Sequence, residues 1–380
     1  MAKKEVLVRR EYYLDLLDKN TNSFRKGNAK SIALLGSRKS GKTLLVKEHL
    51  KTVKDIVPIY IDLNKISLNP ENFSVEFVGN VIFHFLKKPL KEYKRFLLLE
   101  NLLRNESQIP KNAFALIKTV ENELLKIKPD QRLLVESAFK FAETLGKESN
   151  KKFLIALDNF ENLLDLNNFS QVKDVISVIN FDSENVSYIA ASSAVKQILA
   201  LKKFECYEIK NLEKDEAAEL IEGITGKSDK NVNEDIISLS HGHPFVTSII
   251  SKKYNETKDV KKAFLIELLQ KNNQIYNYCN DSLSYYYNRA RGQTLLKIIL
   301  KVVANEELRL SEIAKRIYRS APVTKSILER LMEVDIIYKK DSKFYFSDDV
   351  LRIWLKLTSQ GYEFDDVPDD KILDEVMKEL

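Results

Sequence analysis

Short apolar runs alternate with longer amphipathic stretches through the first half of the chain, and this alternation sets the expected architecture. Largely apolar runs stand at residues 31–35, 56–61, 153–157 and 186–191, with a shorter, mixed one at 206–209. Runs of this kind, without polar alternation, read as strands covered on both faces, and the helical stretches between them make the sheet parallel. Residues 71–148 carry a helical pattern broken at Lys88-Pro89, Ile109-Pro110 and Lys128-Pro129, because a proline disfavours helix in the residue before it. Residues 211–290 give only helical signals.

The pattern changes again from residue 293. Leu295, Leu296, Ile298, Ile299 and Val302 make one helical face. Residues 311–317 read as a second, short helix capped by Ser311. Pro322 opens a third helix, with Val323, Ile327, Leu328, Leu331 and Met332 on one face and Thr324, Lys325, Ser326 and Arg330 on the other. Residues 336–340 and 343–346, split by Asp341-Ser342, read as a hairpin. Three helices and a hairpin predict a winged helix-turn-helix.

Composition narrows the class. Glycine is scarce, ten residues in 380 against a usual share of roughly 7%. That excludes collagen-like and glycine-rich linker proteins and makes each glycine informative. Two cysteines, Cys206 and Cys279, leave no room for a disulfide framework and fit a reducing compartment. The first ten residues lack the apolar core of a signal peptide. No run approaches the ~18 apolar residues of a membrane span. The expectation is a soluble, cytoplasmic protein with no membrane partner. The net charge is +6, but residues 362–380 carry eight acids and two lysines, leaving +12 on the preceding 361. Such an acidic tail is a solvated end or, more sharply, a mimic of nucleic acid covering a basic face.

The glycines lead to the candidate chemistry. Gly36-Ser37-Arg38-Lys39-Ser40-Gly41-Lys42-Thr43 fits G-x-x-x-x-G-K-[ST] at every position and stands between an apolar strand and a helix. Gly36 and Gly41 permit backbone angles that aim successive amides at a β-phosphate. Lys42 would bridge the β- and γ-phosphates, and the Thr43 hydroxyl would coordinate Mg²⁺. The helix that follows adds its N-terminal dipole. The segment from Gly36 through Leu44 is therefore a candidate loop for ATP or ADP, with Mg²⁺ as cofactor.

A loop of this kind works with an apolar strand that ends in an acid. Residues 153–158 supply one, and Asp158 would hold the metal through water, unless it only caps the strand end. The next position commonly carries a glutamate that polarises the attacking water. Here it is Asn159, which cannot accept a proton. Glu161 can substitute if the strand end bends into a turn. The fourth run ends in Ser192-Ser193, placed to sense a γ-phosphate or to cap the helix beginning at Ala194. Lys42, Asp158, Glu161 and Ser192 are the candidate catalytic residues; Thr43 and Asp158 are the candidate metal ligands. Asp62, at the end of the second run, reads as a surface carboxylate, with a place behind the metal ligands as the alternative. His241 and His243 lack a third ligand nearby, so zinc is not expected, and Gly242 and Pro244 read as a helix end and a helix start.

Six bases and two acids lie between Arg309 and Arg330, and the hairpin adds Lys339, Lys340 and Lys343. That charge suits phosphate contacts while the third helix enters a major groove. Thr324, Lys325, Arg330 and Lys340 are the candidate contacts to double-stranded DNA. The alternative is a protein-interaction module, since Glu329 and Glu333 stand on the same helix. Tyr285, Tyr286 and Tyr287 read either as a stacking platform or as core of a linker helix.

Taken in order, Arg9-Arg10-Glu11, the Gly36 to Thr43 loop, Leu157-Asp158 with Glu161, Ser192-Ser193, Gly242-His243-Pro244 and the stretch from Tyr345 to Trp354 form a recognisable series. In that order the chain resembles the archaeal ATPase family, related to the STAND and AAA+ classes of P-loop proteins, over most of residues 5–360. The resemblance implies an α/β fold with a P-loop NTPase parallel sheet of order 5-1-4-3-2, followed by a helical lid and a winged helix-turn-helix. It implies that Arg10 lies near the adenine base and that His243 and Pro244 begin the lid over the nucleotide. The family usually shows a glutamate where Asn159 stands, which leaves a slow nucleotide switch open beside an ATPase. The expected organisation is an ATPase core at 1–209, a lid at 210–290, a winged helix at 291–361 and an acidic tail at 362–380. The expected partners are nucleotide, double-stranded DNA, and a second copy of the chain.

Overall fold

The computed structural model describes residues 10–28, 30–226, 229–292 and 294–379. The chain forms two compact units: Arg10–Gly36 with Lys42–Ile209, and Ser37–Gly41 with the chain from Lys210 onward. We call them the sheet unit and the helical unit.

The sheet unit holds five parallel strands, β1 (Ile32–Leu35), β2 (Val57–Asp62), β3 (Phe153–Asp158), β4 (Val186–Ser192) and β5 (Glu205–Glu208), in the order β2-β3-β4-β1-β5. Read from the other edge this is the 5-1-4-3-2 order expected, with strand ends shifted by about one residue. Every residue of β1, β3 and β4 is buried, while the edge strands β2 and β5 are partly exposed. Alternate residues feed two cores, so the continuous apolar runs are explained by burial on both faces. Ala33, Leu35, Ile155 and Leu157 join the larger core with helices Pro70–Phe85 and Gln131–Ser149. Ile32, Leu34, Leu154 and Ala156 join the other with Leu17, Phe24, Leu45 and Val46. Each proline break falls between elements: Pro89 and Pro110 directly precede helical segments, and Pro129 precedes Asp130, whose carboxylate caps helix Gln131–Ser149.

The helical unit is built on a large hydrophobic core from Ile221 to Val376, with a smaller cluster of Leu212, Ala217 and Leu220 beside it in sequence. It contains helices Lys214–Thr225, Lys230–Ser240, Pro244–Thr257, Val260–Leu269 and Gln274–Arg289. After these come helices Thr294–Asn305, Leu310–Arg316 and Ala321–Glu333, then the antiparallel hairpin β6 (Ile337–Lys340) and β7 (Lys343–Phe346), then helices Asp349–Ser359 and Asp370–Glu379. Among the described residues no helix is long and apolar enough to cross a membrane.

Several local expectations are corrected here. In helix Thr294–Asn305 the buried positions are Leu296, Ile299, Leu300, Val303 and Ala304, and Ile298 is exposed. The next helix starts one residue early, with Arg309 as its N-cap and the Glu312 carboxylate accepting from the Arg309 amide, so Ser311 is not the cap. In helix Ala321–Glu333, Thr324 is fully buried and donates to the Ser320 carbonyl at 3.0 Å, whereas Val323 is 44% exposed. The inward stripe therefore runs through positions 324, 327, 328 and 331, keeping Ile327, Leu328 and Leu331 of the expected face but with Thr324 in place of Val323. The acidic tail is not simply a solvated end: Leu373 and Val376 are buried in the core, and Asp365 and Asp370 pair with Lys271 at 3.0 Å and Lys262 at 2.6 Å. Of the three consecutive tyrosines, Tyr286 and Tyr287 are core, which favours the linker-helix reading for both.

Gly79 lies inside helix Pro70–Phe85, where the Phe96 backbone crosses so closely that an added Cβ would sit 1.8 Å from the Phe96 carbonyl oxygen. Gly79→Ala should therefore lower the unfolding free energy by about 1–3 kcal/mol, the usual cost of overpacking, despite the roughly 1 kcal/mol that alanine gains in a helix. Denaturant titration measures this directly; a variant as stable as the parent would contradict the close approach.

Candidate functional site

The strand register brings the acidic and hydroxyl groups of the sheet unit together. Asp158 stands opposite Ala191 of β4 and Asp62 of β2, and Ser192 stands opposite Leu35, the last residue of β1. Gly36 follows, and helix Lys42–Thr52 begins at the lysine. Lys42 is buried, and its Nζ donates to the Gly36 carbonyl at 2.9 Å and to Ser193 Oγ at 3.2 Å. Thr43 Oγ1 donates to Asp158 Oδ2 at 2.7 Å. Tyr60, two positions before the end of β2, donates to the same oxygen at 2.7 Å, and the Asn159 amide donates to Asp158 Oδ1 at 3.0 Å. Burial, and then the hydrogen bond to Asp158, push the Tyr60 phenol well above its ordinary value, so at neutral pH it is a donor.

Asn159 adopts the left-handed conformation, φ 55°, which asparagine tolerates better than most residues. Its side-chain amide donates to Asp62 Oδ1 at 2.9 Å. Asp62 is thus tied to the end of β3 as well as to Lys65 at 3.5 Å, and is more than a surface carboxylate. The turn at Asn159 drops the chain into the 3-10 segment Phe160–Asn168 and buries Glu161, whose carboxylate accepts from Ser192 Oγ at 2.6 Å and from the Ser193 amide at 3.3 Å. Ser192 Oγ also accepts from the Ala194 amide at 3.1 Å, so it stabilises the following turn while binding Glu161. The bend on which a role for Glu161 depended is present. Ser193 joins Glu161 on one side to Lys42 on the other.

The oxygen pair Thr43 Oγ1 and Asp158 Oδ2 suits Mg²⁺, which prefers hard oxygen donors and commonly takes only one or two carboxylates from the protein. Among the described residues there is no group of three or more His, Cys, Asp or Glu able to hold a metal.

In the helical unit, Ser37–Gly41 packs against the segment after Lys230. Ser40 closes the loop by donating its amide to the Ser37 carbonyl at 3.3 Å, Lys39 is left-handed, and Gly41 has φ 100°, which only glycine adopts freely. His243 is buried as the N-cap of helix Pro244–Thr257, of which Pro244 is the first residue. Its Nε2 lies 3.0 Å from the Arg38 carbonyl oxygen, and because that oxygen only accepts, Nε2 carries the proton. The Tyr278 hydroxyl lies 3.2 Å from the same nitrogen and donates to Asp348, which caps helix Asp349–Ser359. Burial, and then Asp348, hold the Tyr278 phenol well above its ordinary value. The Arg38 guanidinium stacks 4.6 Å from Tyr285, and Lys39 Nζ sits 3.8 Å from Phe245. Burial lowers the Lys39 ammonium below its ordinary value, with Asp281 opposing.

The remaining candidates divide. Leu44 is 43% exposed. Arg10 is buried at the start of helix Glu11–Arg25, its guanidinium 5.9 Å from the Tyr13 ring. Lys325 and Lys340 are exposed, Lys325 lying 3.7 Å from Glu329. Two expected DNA contacts are corrected: Thr324 is buried, and Arg330 donates to the carbonyls of Ala290 and Arg291, holding its helix to the turn after helix Gln274–Arg289. Sequence reasoning passed over Tyr60, whose signal was its period-two spacing with Asp62. It also passed over Tyr278, for which the helical pattern carries no signal. Tyr60→Phe should lower the unfolding free energy by about 1.5–3 kcal/mol, the share of a hydrogen bond to a charged group; an unchanged denaturation midpoint would show that the phenol does not support Asp158.

No family model and no curated protein sequence matches the chain. Among solved structures, a Walker-type ATPase of Pyrococcus abyssi superposes with TM-score 0.62 at 17% identity, covering 93% of this chain and 97% of that one. A STAND protein with a tetratricopeptide repeat sensor from Pyrococcus horikoshii matches with TM-score 0.37 at 16% identity, over 100% of this chain and 45% of that one. The Aeropyrum pernix ORC1 protein, solved in complex with DNA, matches with TM-score 0.39 at 12% identity, over 94% of each. The likeness to the Pyrococcus abyssi protein shows the fold: a P-loop NTPase parallel sheet followed by a helical C-terminal region.

Proposed function

We propose that the chain is a Mg²⁺-dependent ATP-binding protein that hydrolyses ATP slowly. The observation that carries this reading is the 2.7 Å hydrogen bond from Thr43 to Asp158, made beside Lys42 at the carboxyl ends of β1 and β3. Lys42 and the loop amides would hold the phosphates; Thr43 and Asp158 would hold the metal. Mg²⁺, when bound, would neutralise charge on the transferring phosphoryl group. Glu161 is the group able to accept a proton from water, oriented by Ser192, whereas the Asn159 amide is spent on Asp62. Glu161 begins its turn three positions after Asp158 and is held by hydrogen bonds, a placement that favours slow turnover over fast.

The same reading gives the loop a second task. Arg38 and Lys39 rest on Tyr285 and Phe245, and His243 holds the Arg38 carbonyl. A nucleotide that changes the loop would disturb these contacts, so occupancy would be reported to helix Pro244–Thr257, the third helix of the proposed lid at 210–290. Three helices and the hairpin β6–β7 support a winged helix at 291–361, and two features favour nucleic acid as its partner. Tyr318 is 87% exposed, and the hairpin presents Lys339 and Lys340. With Thr324 and Arg330 excluded, Lys325 and Lys340 are the proposed phosphate contacts.

Lys42→Ala should weaken ATP binding on the order of a hundredfold, about 2.7 kcal/mol, in calorimetric titration; undiminished binding would overturn the assignment. Glu161→Gln should leave binding intact and lower phosphate release by about 10²–10⁴-fold, and equal rates would remove Glu161 from the chemistry. For DNA, Lys340→Ala should reduce the slope of log affinity against log salt by about 0.9, and an affinity independent of salt would argue against phosphate contacts altogether.

A further inference from the structure

The sheet unit has a second opening, at the end of the sheet away from Asp158. A cavity of about 530 Å³ lies where β2 and β3 begin, lined by residues just before or at the start of each strand, among them Val57 and Lys151. Four lysines surround it: Lys54, Lys87, Lys88 and Lys151. None of them makes an ion pair among the described residues; Lys151 only faces the Phe85 ring, at 4.7 Å. Their neighbours behave differently, for Lys51 pairs with Glu48 at 2.9 Å and Lys152 donates to the Phe24 carbonyl at 2.6 Å.

Part of this charge answers the protein's own field. Helices Lys42–Thr52, Pro70–Phe85 and Gln131–Ser149 end in the chain just before these lysines. Each C-terminus presents roughly −0.5 of a charge, so the three together offset about 1.5 of the four lysines. Asp55, the acid in the lining, lies 3.9 Å from Arg25 and is partly neutralised there. An excess of about two positive charges remains, close to the charge of a phosphate monoester, about −1.5 to −2 at pH 7. The cavity is also larger than a bare phosphate needs, falling within the roughly 300–1,000 Å³ of sites for small organic ligands. One wall is apolar, built from Ile56, Val57, Pro58 and Phe83, and His84 stands beside it. Burial lowers His84 below its ordinary value, so its ring offers a hydrogen bond rather than a charge.

We propose that this cavity binds a phosphate monoester whose organic body is aromatic or apolar, the lysines taking the phosphate and the Ile56–Phe83 wall taking the body. The site is separate from the Gly36–Thr43 loop and does not depend on the function assigned to that loop. The test uses the full chain carrying Lys42→Ala, in which the loop is disabled, with phenyl phosphate and inorganic phosphate as probes in calorimetric titration. Phenyl phosphate should bind at one site, more tightly than inorganic phosphate, and should weaken as salt is raised. Lys87→Ala with Lys151→Ala should weaken it at least about tenfold, with the melting temperature as a check on folding. Should that pair fail to fold, Lys54→Ala with Lys88→Ala serves the same purpose. Absence of saturable binding, equal affinity for the two probes, or affinity unchanged in the lysine variants would each overturn the proposal.

Discussion

The arrangement of the candidate site depends on one constraint, the parallel register of β1, β4 and β3. Hydrogen bonding aligns Leu35 with Ser192 and Asp158 with Ala191, so three strands end at one level. Everything polar in the sheet unit's candidate site follows from that level. Lys42 and Thr43 begin the helix after β1, Asp158 closes β3, Ser192 closes β4, and the hydrogen bonds Thr43–Asp158 and Lys42–Ser193 tie the ends across β4. A slip of one residue would turn each strand's buried set to the opposite core and carry Asp158 away from Thr43. Because β1, β3 and β4 are buried at every position, the two cores resist such a slip from both faces. The apolar packing thus fixes the geometry of the charged groups, and those groups need little strain of their own.

The same logic explains what could be read from the chain in advance. The strands were legible because residues buried on both faces cannot alternate with polar ones, and the loop was legible because its glycines and its lysine are required by local geometry. Glu161 was legible only conditionally. Its position depends on the left-handed turn at Asn159, and asparagine in a single sequence does not announce such a turn. Thr324 was misplaced for a different reason. Positions 323 and 324 both lie near the edge of the face set by Ile327, Leu328 and Leu331, and a buried threonine satisfies its hydroxyl on the Ser320 carbonyl without any apolar signature. Arg330 shows the general difficulty with surface charge. Its side chain is spent on backbone carbonyls forty residues away, a contact that charge counting cannot foresee. Tyr278 and Asp348 are seventy residues apart and meet only through tertiary packing.

Asn159 also acquires a physical account. A glutamate at this position would bring a carboxylate up to Asp62, which now accepts a hydrogen bond from the asparagine amide at 2.9 Å. Asp62 and Asp158 are already register partners on adjacent strands, so a third acid would add like charge to a crowded edge. The amide instead joins the two strand ends. Under the proposed function the proton-accepting role falls to Glu161, whose carboxylate accepts hydrogen bonds from Ser192 and Ser193.

In the helical unit, the loop segment Ser37–Gly41 is held by contacts of unequal kind. The aromatic contacts of Arg38 and Lys39 are each worth roughly 0.5–2 kcal/mol, whereas the His243 hydrogen bond fixes the backbone itself. Phosphate binding would compete for the two cations but would not have to break the backbone contact. Under the proposed function, occupancy would then loosen Tyr285 and Phe245 while His243 kept the loop registered to helix Pro244–Thr257. Linkage makes the effect reciprocal, so whatever stabilises those aromatic contacts must weaken nucleotide binding by the same free energy. Tyr278 extends the argument, because it touches His243 and Asp348 at once, and Asp348 begins helix Asp349–Ser359. The C-terminal helices are thereby joined to the loop Ser37–Gly41 by hydrogen bonds, and under the proposed function the switchable part of the unit would reduce to two cations and the rings beneath them.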